Sequence, residues 1–525
     1  MFSCDPMAKK INISASSTIL LSFLFFVVRQ AAASVHDYKG SKFVSKGNAF
    51  VLHGGSEGLY SSLPNPNASS VATSGDSFIR FEKITFRMLG EAASSIKDTD
   101  PVKVHAIIFE VEDREIIGGS AYGGQRALCC TADLAKLRVC TQGNLIYRPS
   151  TRNPDWPQML FASFAGKDPV AIFPSQTISI PKTGMYNLYF IFCDPMLNGL
   201  VIEGKSIWKN PSGYLPGRMA PLMNFYGLIS LAFVVLGIFW FSQYARFWRE
   251  VLPLQNGITL VIALGMFEMA LWYFEYAEFN KTGVRPMGIT FWAVTFGTIK
   301  KTIARLIILL VSMGYGVVRP TLGGLSSKVK MLGATFFIAS EILELVENLG
   351  AVSDLSGKTR LFLVLPVAML DAFFILWIFT SLSKTLEKLQ ARRLMAKLYV
   401  YRKFTNVLAV TVILSVGWIG YELYFKSTDV FNERWQNAWI IPAFWHILSF
   451  SLLCVICVLW APSQNSMRYA YSAEASEEYD REETFSLIKP GPFPSKDSQS
   501  TPITADTKVD AVGSHKDDLE EDKRE

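Results

Sequence analysis

Charge is scarce in this chain of 525 residues. Asp, Glu, Lys and Arg make up 18% of it, where a soluble globular protein carries about 25%. Apolar residues make up half, and the mean hydropathy is +0.25. This argues against a purely soluble enzyme and excludes disorder throughout. Catalytic signatures are missing as well. There is no H-E-x-x-H, no G-x-S-x-G and no intramembrane aspartate pair in a protease-like glycine context, so no enzyme is expected. Internal repeats are absent. What the chain has in quantity is long apolar runs, interleaved with 38 Phe, 19 Tyr and 12 Trp, the texture of a membrane protein with a sizeable non-membrane part.

The first run is short. Lys9 and Lys10 precede the ten-residue apolar core Ile19 to Val28, and Ala31-Ala32-Ala33 follows. This reads as a cleaved signal peptide over 1–33, with an uncleaved anchor as the alternative. Residues 34–220 then show short strand-like pieces: Phe78 to Met88, Val102 to Val111, Gln158 to Phe164, Gln176 to Ile180 and Met185 to Cys193. Turn signals such as Gly118-Gly119 and Pro181-Lys182-Thr183-Gly184 separate them. An all-β sandwich is expected there. From 221 to 461 come seven apolar segments, at about 222–245, 255–277, 288–316, 331–349, 361–383, 404–425 and 438–460. Each has the ~20 residues of a spanning helix.

Loop charge orients them. The loops 246–254, 317–330 and 384–403 hold twelve Lys and Arg, and the alternate loops hold six. The richer set belongs in the cytosol, which agrees with a lumenal start. Residues 463–525 hold 8 basic and 15 acidic residues, so against the whole-chain balance of +6 the remainder carries +13. Basic cytosolic loops explain that excess without nucleic acid. The region 462–525 is too polar to bury a core and is expected to be a disordered cytosolic tail.

Four cysteines, Cys129, Cys130, Cys140 and Cys193, fall in the β region. They suggest two disulfides, one short link to Cys140 and one long link to Cys193, with the choice between Cys129 and Cys130 open. No His cluster accompanies them, so no metal site is expected. Cys454 and Cys457 read as buried apolar side chains. Asn67-Ala68-Ser69 is a glycosylation sequon in a loop-like stretch. Asn280-Lys281-Thr282 lies in a short loop close to the membrane, where modification should be poor. Pro211 blocks Asn210.

Several stretches resemble a known family. They are GYLPGRMAPLMNFYG at 213–227, WYFEYAEFN at 272–280, FWAVTFGTIKKTIARLIILLVSMGYGVVRPTLG at 291–323 and WAPSQNSMRYAY at 460–471. These are similar to the lung seven-transmembrane receptors, also called GOST proteins, and within them to the transmembrane protein 87 branch. KTGMYNLYFIFC at 182–193 resembles the last strands of a GOLD β-sandwich. The resemblance implies a GOLD-like lumenal domain, a Golgi or endosomal location, a role in endosome to trans-Golgi transport or cargo reception, and a lipid-accessible cavity. A cation channel or channel regulator, and a G-protein-coupled-receptor-like protein, are the alternatives. The third helix ends Tyr315-Gly316-Val317-Val318-Arg319-Pro320 rather than in an acidic-Arg-aromatic triplet. The seventh has neither N-P-x-x-Y nor a lysine for a Schiff base.

Charge within the spans is the strongest chemical signal. Glu268, Lys300, Lys301, Glu341 and Asp371 fall near mid-bilayer. Glu344 and His446 fall slightly toward the lumen, and Arg305 toward the cytosol. Each charge costs ~2.5–3.5 kcal/mol at a helix centre on insertion scales, so none should face lipid. Two readings stay open. One is a set of interhelical ion pairs that fix register. The other is a polar cavity for a headgroup, ion or proton, and both signs suit a zwitterionic headgroup. No cofactor is expected beyond a bound phospholipid. Expected partners are membrane lipids, a lumenal cargo protein, and clathrin adaptors reading the acidic dileucine motif of Glu483, Leu487 and Ile488.

Overall fold

The computed structural model describes residues 34–62, 76–88, 102–120, 126–138, 140–151, 153–164, 168–315, 324–349 and 357–462. The expected signal peptide, the Asn67 sequon and the tail with Glu483, Leu487 and Ile488 lie outside the described residues.

Alternation builds the N-terminal half. One antiparallel sheet has the order β1 (Val35–Lys42), β12 (Val201–Lys209), β4 (Phe78–Arg87), β10 (Thr177–Ser179), with β9 (Val170–Ile172) also on β4. The other has the order β2 (Val44–Lys46), β3 (Ala49–Leu59), β11 (Gly184–Phe192), β5 (Lys103–Glu110), β8 (Gln158–Ser163). In β4, Ile79, Phe81, Ile84 and Phe86 turn inward, while Arg80, Glu82, Thr85 and Arg87 do not. They meet Trp208 of β12 and Leu188, Phe190 and Phe192 of β11 in one apolar layer between the sheets.

Three of the longer strands were not among the sequence expectations: β1, β3 and β12. In β3 and β12 glycines interrupt the apolar pattern. Gly204 shows why they are there. It sits at φ +127, where a β-carbon would lie 2.5 Å from the Lys83 carbonyl, at the bulge between β12 and β4.

A segment of 111–150, in which β6 (Gly119–Ser120) pairs with β7 (Arg126–Ala127), folds over the outer face of the second sheet. It packs Ile117, Cys129 and Leu145 on Ile107, Phe109 and Ile191. Two disulfides hold it. Cys129–Cys193 ties it to the end of β11 across 64 residues, and Cys130–Cys140 closes a ten-residue loop.

Among the described residues seven long helices follow: α1 (Ala220–Arg246), α2 (Pro253–Thr282), α3 (Met287–Ser312), α4 (Leu325–Leu349), α5 (Gly357–Ala391), α6 (Met395–Thr428) and α7 (Ile440–Leu459). Five of them, α1, α2, α5, α6 and α7, are long and apolar enough to cross a membrane. The other two are the helices that carry Lys300, Lys301 and Arg305 (α3) and Glu341, Glu344 and Glu347 (α4).

Helix ends differ from the sequence expectation in several places. α3 stops at Ser312 rather than 316, and α4 starts at Leu325 rather than 331. The expected loop 384–403 is helical except for Arg392, Arg393 and Leu394, because Lys, Arg, Leu and Ala there are all strong helix formers.

The two halves are latched together. Asn280 is not in a loop but in the last turn of α2. Its amide accepts from the Leu215 N–H (3.0 Å) and donates to the Ser212 carbonyl (3.0 Å). Asn210 donates to the Leu215 carbonyl (3.0 Å) and accepts from the Tyr60 N–H (2.9 Å). Trp435, between α6 and α7, inserts beside Val111 and Met185 of the β domain, and Gly58 leaves the space its ring fills.

Candidate functional site

α3 packs against α2, α4 and α5, and its three intramembrane cations go to a different neighbour each. Lys300 pairs with Glu268 of α2, and both are nearly fully buried. Lys301 donates to Glu344 of α4 at 2.5 Å. Arg305 donates through Nε to Asp371 of α5 at 2.6 Å and stacks on Phe336 of α4. Gly297 makes the first contact possible, since a β-carbon there would lie 2.7 Å from Glu268 Oε1. Among the described residues no cation pairs with Glu341; it accepts from the Thr295 hydroxyl at 2.7 Å. His446 Nε2 stands 3.3 Å from the Tyr226 hydroxyl.

One further pair was not on the sequence's candidate list. Arg285 counted there only as a loop cation. It turns inward instead, 2.9 Å from the wholly buried Glu275, and donates to the Asn348 carbonyl at 3.0 Å. Thr290 also donates to Glu275 (3.3 Å). The available signal was the seven-residue spacing of Glu268 and Glu275, which puts both on one face of α2.

Some of these groups line a cavity of about 920 Å³. It starts between the β domain and the helices and runs down to the middle of the bundle. Its upper wall includes His36, His53 and Glu57, its waist Arg218, Arg285 and Trp439, and its floor Glu268, Lys301, Glu344 and His446. Tyr226, Trp272 and Tyr276 form an aromatic wall, with Tyr226 and Trp272 stacked at 5.9 Å. Lys300, Arg305, Glu341 and Asp371, expected in one polar cavity with the others, do not line it. At the mouth, His36 Nε2 lies 3.0 Å from Glu57, and burial, then the neighbouring His36, hold His53 below the usual histidine range. Among the described residues no group of three His, Cys, Asp or Glu is placed to hold a metal. The cavity therefore offers paired charges of both signs beside an apolar wall, a surface suited to a molecule with a polar head and apolar body.

A β domain followed by a helical bundle with charged interior pairs defines a multi-pass membrane protein. Residues 221–467 match the family described as GOST, seven transmembrane domain. Transmembrane protein 87A of Xenopus tropicalis is 34% identical over 279 residues, 53% of this chain and 51% of that one. Transmembrane protein 87B of Homo sapiens is 34% identical over 278 residues, 52% and 49%. Membrane protein PTM1 of Saccharomyces cerevisiae is 24% identical over 442 residues, 79% and 80%. Residues 221–467 thus carry a GOST seven-transmembrane domain, and the matched stretch is similar to that of transmembrane protein 87. The chain spans about half the length of the transmembrane protein 87 relatives it matches.

Proposed function

We propose that this protein is a non-enzymatic trafficking factor or cargo receptor of Golgi and endosomal membranes, whose bundle cavity holds a phospholipid by its headgroup. In this reading the β domain is a GOLD-like lumenal domain, the C-terminus is cytosolic, Asn67 is glycosylated, and Leu487 and Ile488 engage clathrin adaptors.

One observation carries the cavity reading. Lys301 and Glu344 are about a third exposed, and both line the cavity. They present an ammonium and a carboxylate together, the complement of a zwitterionic headgroup. A cation pore would favour carboxylates without adjacent cations, and here Glu268, Glu275 and Glu344 are each paired with a cation.

Lipid that co-purifies with the full chain should be identified by mass spectrometry. Wild type should retain about one phospholipid per chain, and Lys301→Ala should release it. Delipidated protein that conducts cations in planar bilayers, with no lipid retained by wild type, would replace this reading with the channel. Replacing Leu487 and Ile488 by Ala should move the protein toward the cell surface or vacuole. A tail tag accessible only after lumenal permeabilisation would reverse the orientation.

A further inference from the structure

The α5–α6 hairpin is longer than a membrane requires. Its arms have 35 and 34 residues, against the ~20 that cross the hydrocarbon. Residues 384–391 of α5 and 395–403 of α6 therefore extend about 12 Å past it, at 1.5 Å per residue. That reach crosses the headgroup layer on the side opposite the β domain.

This tip is strongly charged. Between 384 and 403 stand seven Lys and Arg against one carboxylate, Glu387. Lys384, Arg393, Arg402 and Lys403 are exposed. Large apolar side chains accompany them, with Leu394, Met395 and Tyr399 exposed by 40%, 70% and 60%. Lys403 lies over the Tyr399 ring at 4.5 Å. Cations beside exposed apolar and aromatic groups at headgroup depth suit a membrane interface.

The turn itself gives a second, independent observation. Arg393 has φ +52, and the Leu394 N–H closes back on the Leu389 carbonyl at 3.2 Å. This is a helix C-terminus of the kind glycine or asparagine caps with least strain. Arginine runs against that backbone preference, and its charge is what glycine would not supply.

We propose that the α5–α6 tip is a binding site for anionic phospholipid headgroups, with phosphoinositides preferred to singly charged lipids. The exposed cations Lys384, Arg393, Arg402 and Lys403 are answered better by one headgroup bearing several charges than by several headgroups crowded around one turn. Clusters of four to eight cations next to a spanning helix act in this way. The inference rests on the reading above only for the side of the membrane the tip faces.

The test is a titration of the detergent-purified full chain with phosphatidylinositol 4-phosphate, phosphatidylserine or phosphatidylcholine, with bound lipid counted by native mass spectrometry. Affinity should fall in that order. Arg402→Gln with Lys403→Gln should weaken phosphoinositide binding, about five-fold per cation removed. Arg393→Gly should weaken it about five-fold while leaving the melting temperature unchanged or raised. Any of three results overturns the proposal: wild-type binding in both variants, equal affinity for the three lipids, or equal affinity for free inositol bisphosphate, which would make the ligand soluble. Lys301→Ala keeps the two sites separable, since it should release the cavity lipid and leave titration at the tip intact.

Discussion

The β half and the helical half keep opposite kinds of side chain at their centres. Between the sheets lie Trp208, Phe86, Phe190 and Phe192, all fully buried, and each square ångström of that surface taken from water contributes about 25 cal/mol. At the centre of the bundle lie Lys300 and Glu268, nearly as buried. The same apolar layer would contribute little there, because lipid tails are as apolar as leucine. Close packing and polar contacts must choose the neighbours instead. α3 does so by sending one cation to each of α2, α4 and α5. The β domain is thus assembled by exclusion from its solvent, and the bundle by pairs that a lone helix could not satisfy in its own.

The sharpest test of that contrast is at Lys300 and Glu268. Glu268→Gln strands a buried ammonium and should destabilise the bundle by ~3–5 kcal/mol, read as thermal unfolding in detergent. Adding Lys300→Met should recover most of the loss; adding Lys301→Met should not. Asp371→Asn should cost less than Glu268→Gln, because the Arg305 pair is a third exposed. Equal recovery by either lysine variant would mean that the pairing is not specific.

In the β domain the comparable loss comes from a crosslink. Cys193→Ser opens the 64-residue link to Cys129 and should cost ~2–5 kcal/mol. Cys140→Ser opens only ten residues and should cost less, since loop-closure entropy grows with loop length. Unfolding followed by the tryptophans under non-reducing conditions checks the order.

The junction can be broken by one methyl group. Gly58→Ala would place a β-carbon 2.4 Å from the Trp435 ring, an overpacking worth ~1–3 kcal/mol. Trp435→Ala in the same chain should relieve the clash. Protease sensitivity at the junction, rising in the single variant and falling back in the double, is the readout.

The smallest expected effect is on pH. Burial, then the nearby Lys103, holds His105 below the usual histidine range, and burial with His36 does the same for His53. The folded β domain therefore prefers both rings neutral. The stability this provides is complete above about pH 6.5, the unfolded value, and is lost as pH falls through the lower folded values. His105→Gln should flatten the fall in melting temperature between pH 7 and pH 5. A slope unchanged in that variant would assign the dependence to other groups.

Seven helices, a β-rich start and the identity of the intramembrane charges were legible in the sequence. Span length and strand alternation are local properties, and a charge among apolar neighbours is visible wherever it falls. Helix ends and glycine-broken strands were less so: β3 and β12 are held by their cross-strand partners rather than by their own pattern, and α5 runs on through Lys384 and Lys388 because helix formers ignore the membrane boundary. Pairing was not legible at all. Lys300, Lys301 and Arg305 are equivalent cations on paper, and Lys300 and Lys301 differ by only 100° around α3. That rotation alone turns one toward Glu268 and the other toward Glu344. In the same way Arg285 reads as a loop cation until the chain folds it onto Glu275. The sequence by itself determined which groups must find partners, because transfer free energy belongs to each side chain. Only the tertiary structure decided which partner each one meets, because that depends on where helices distant in the chain come to lie.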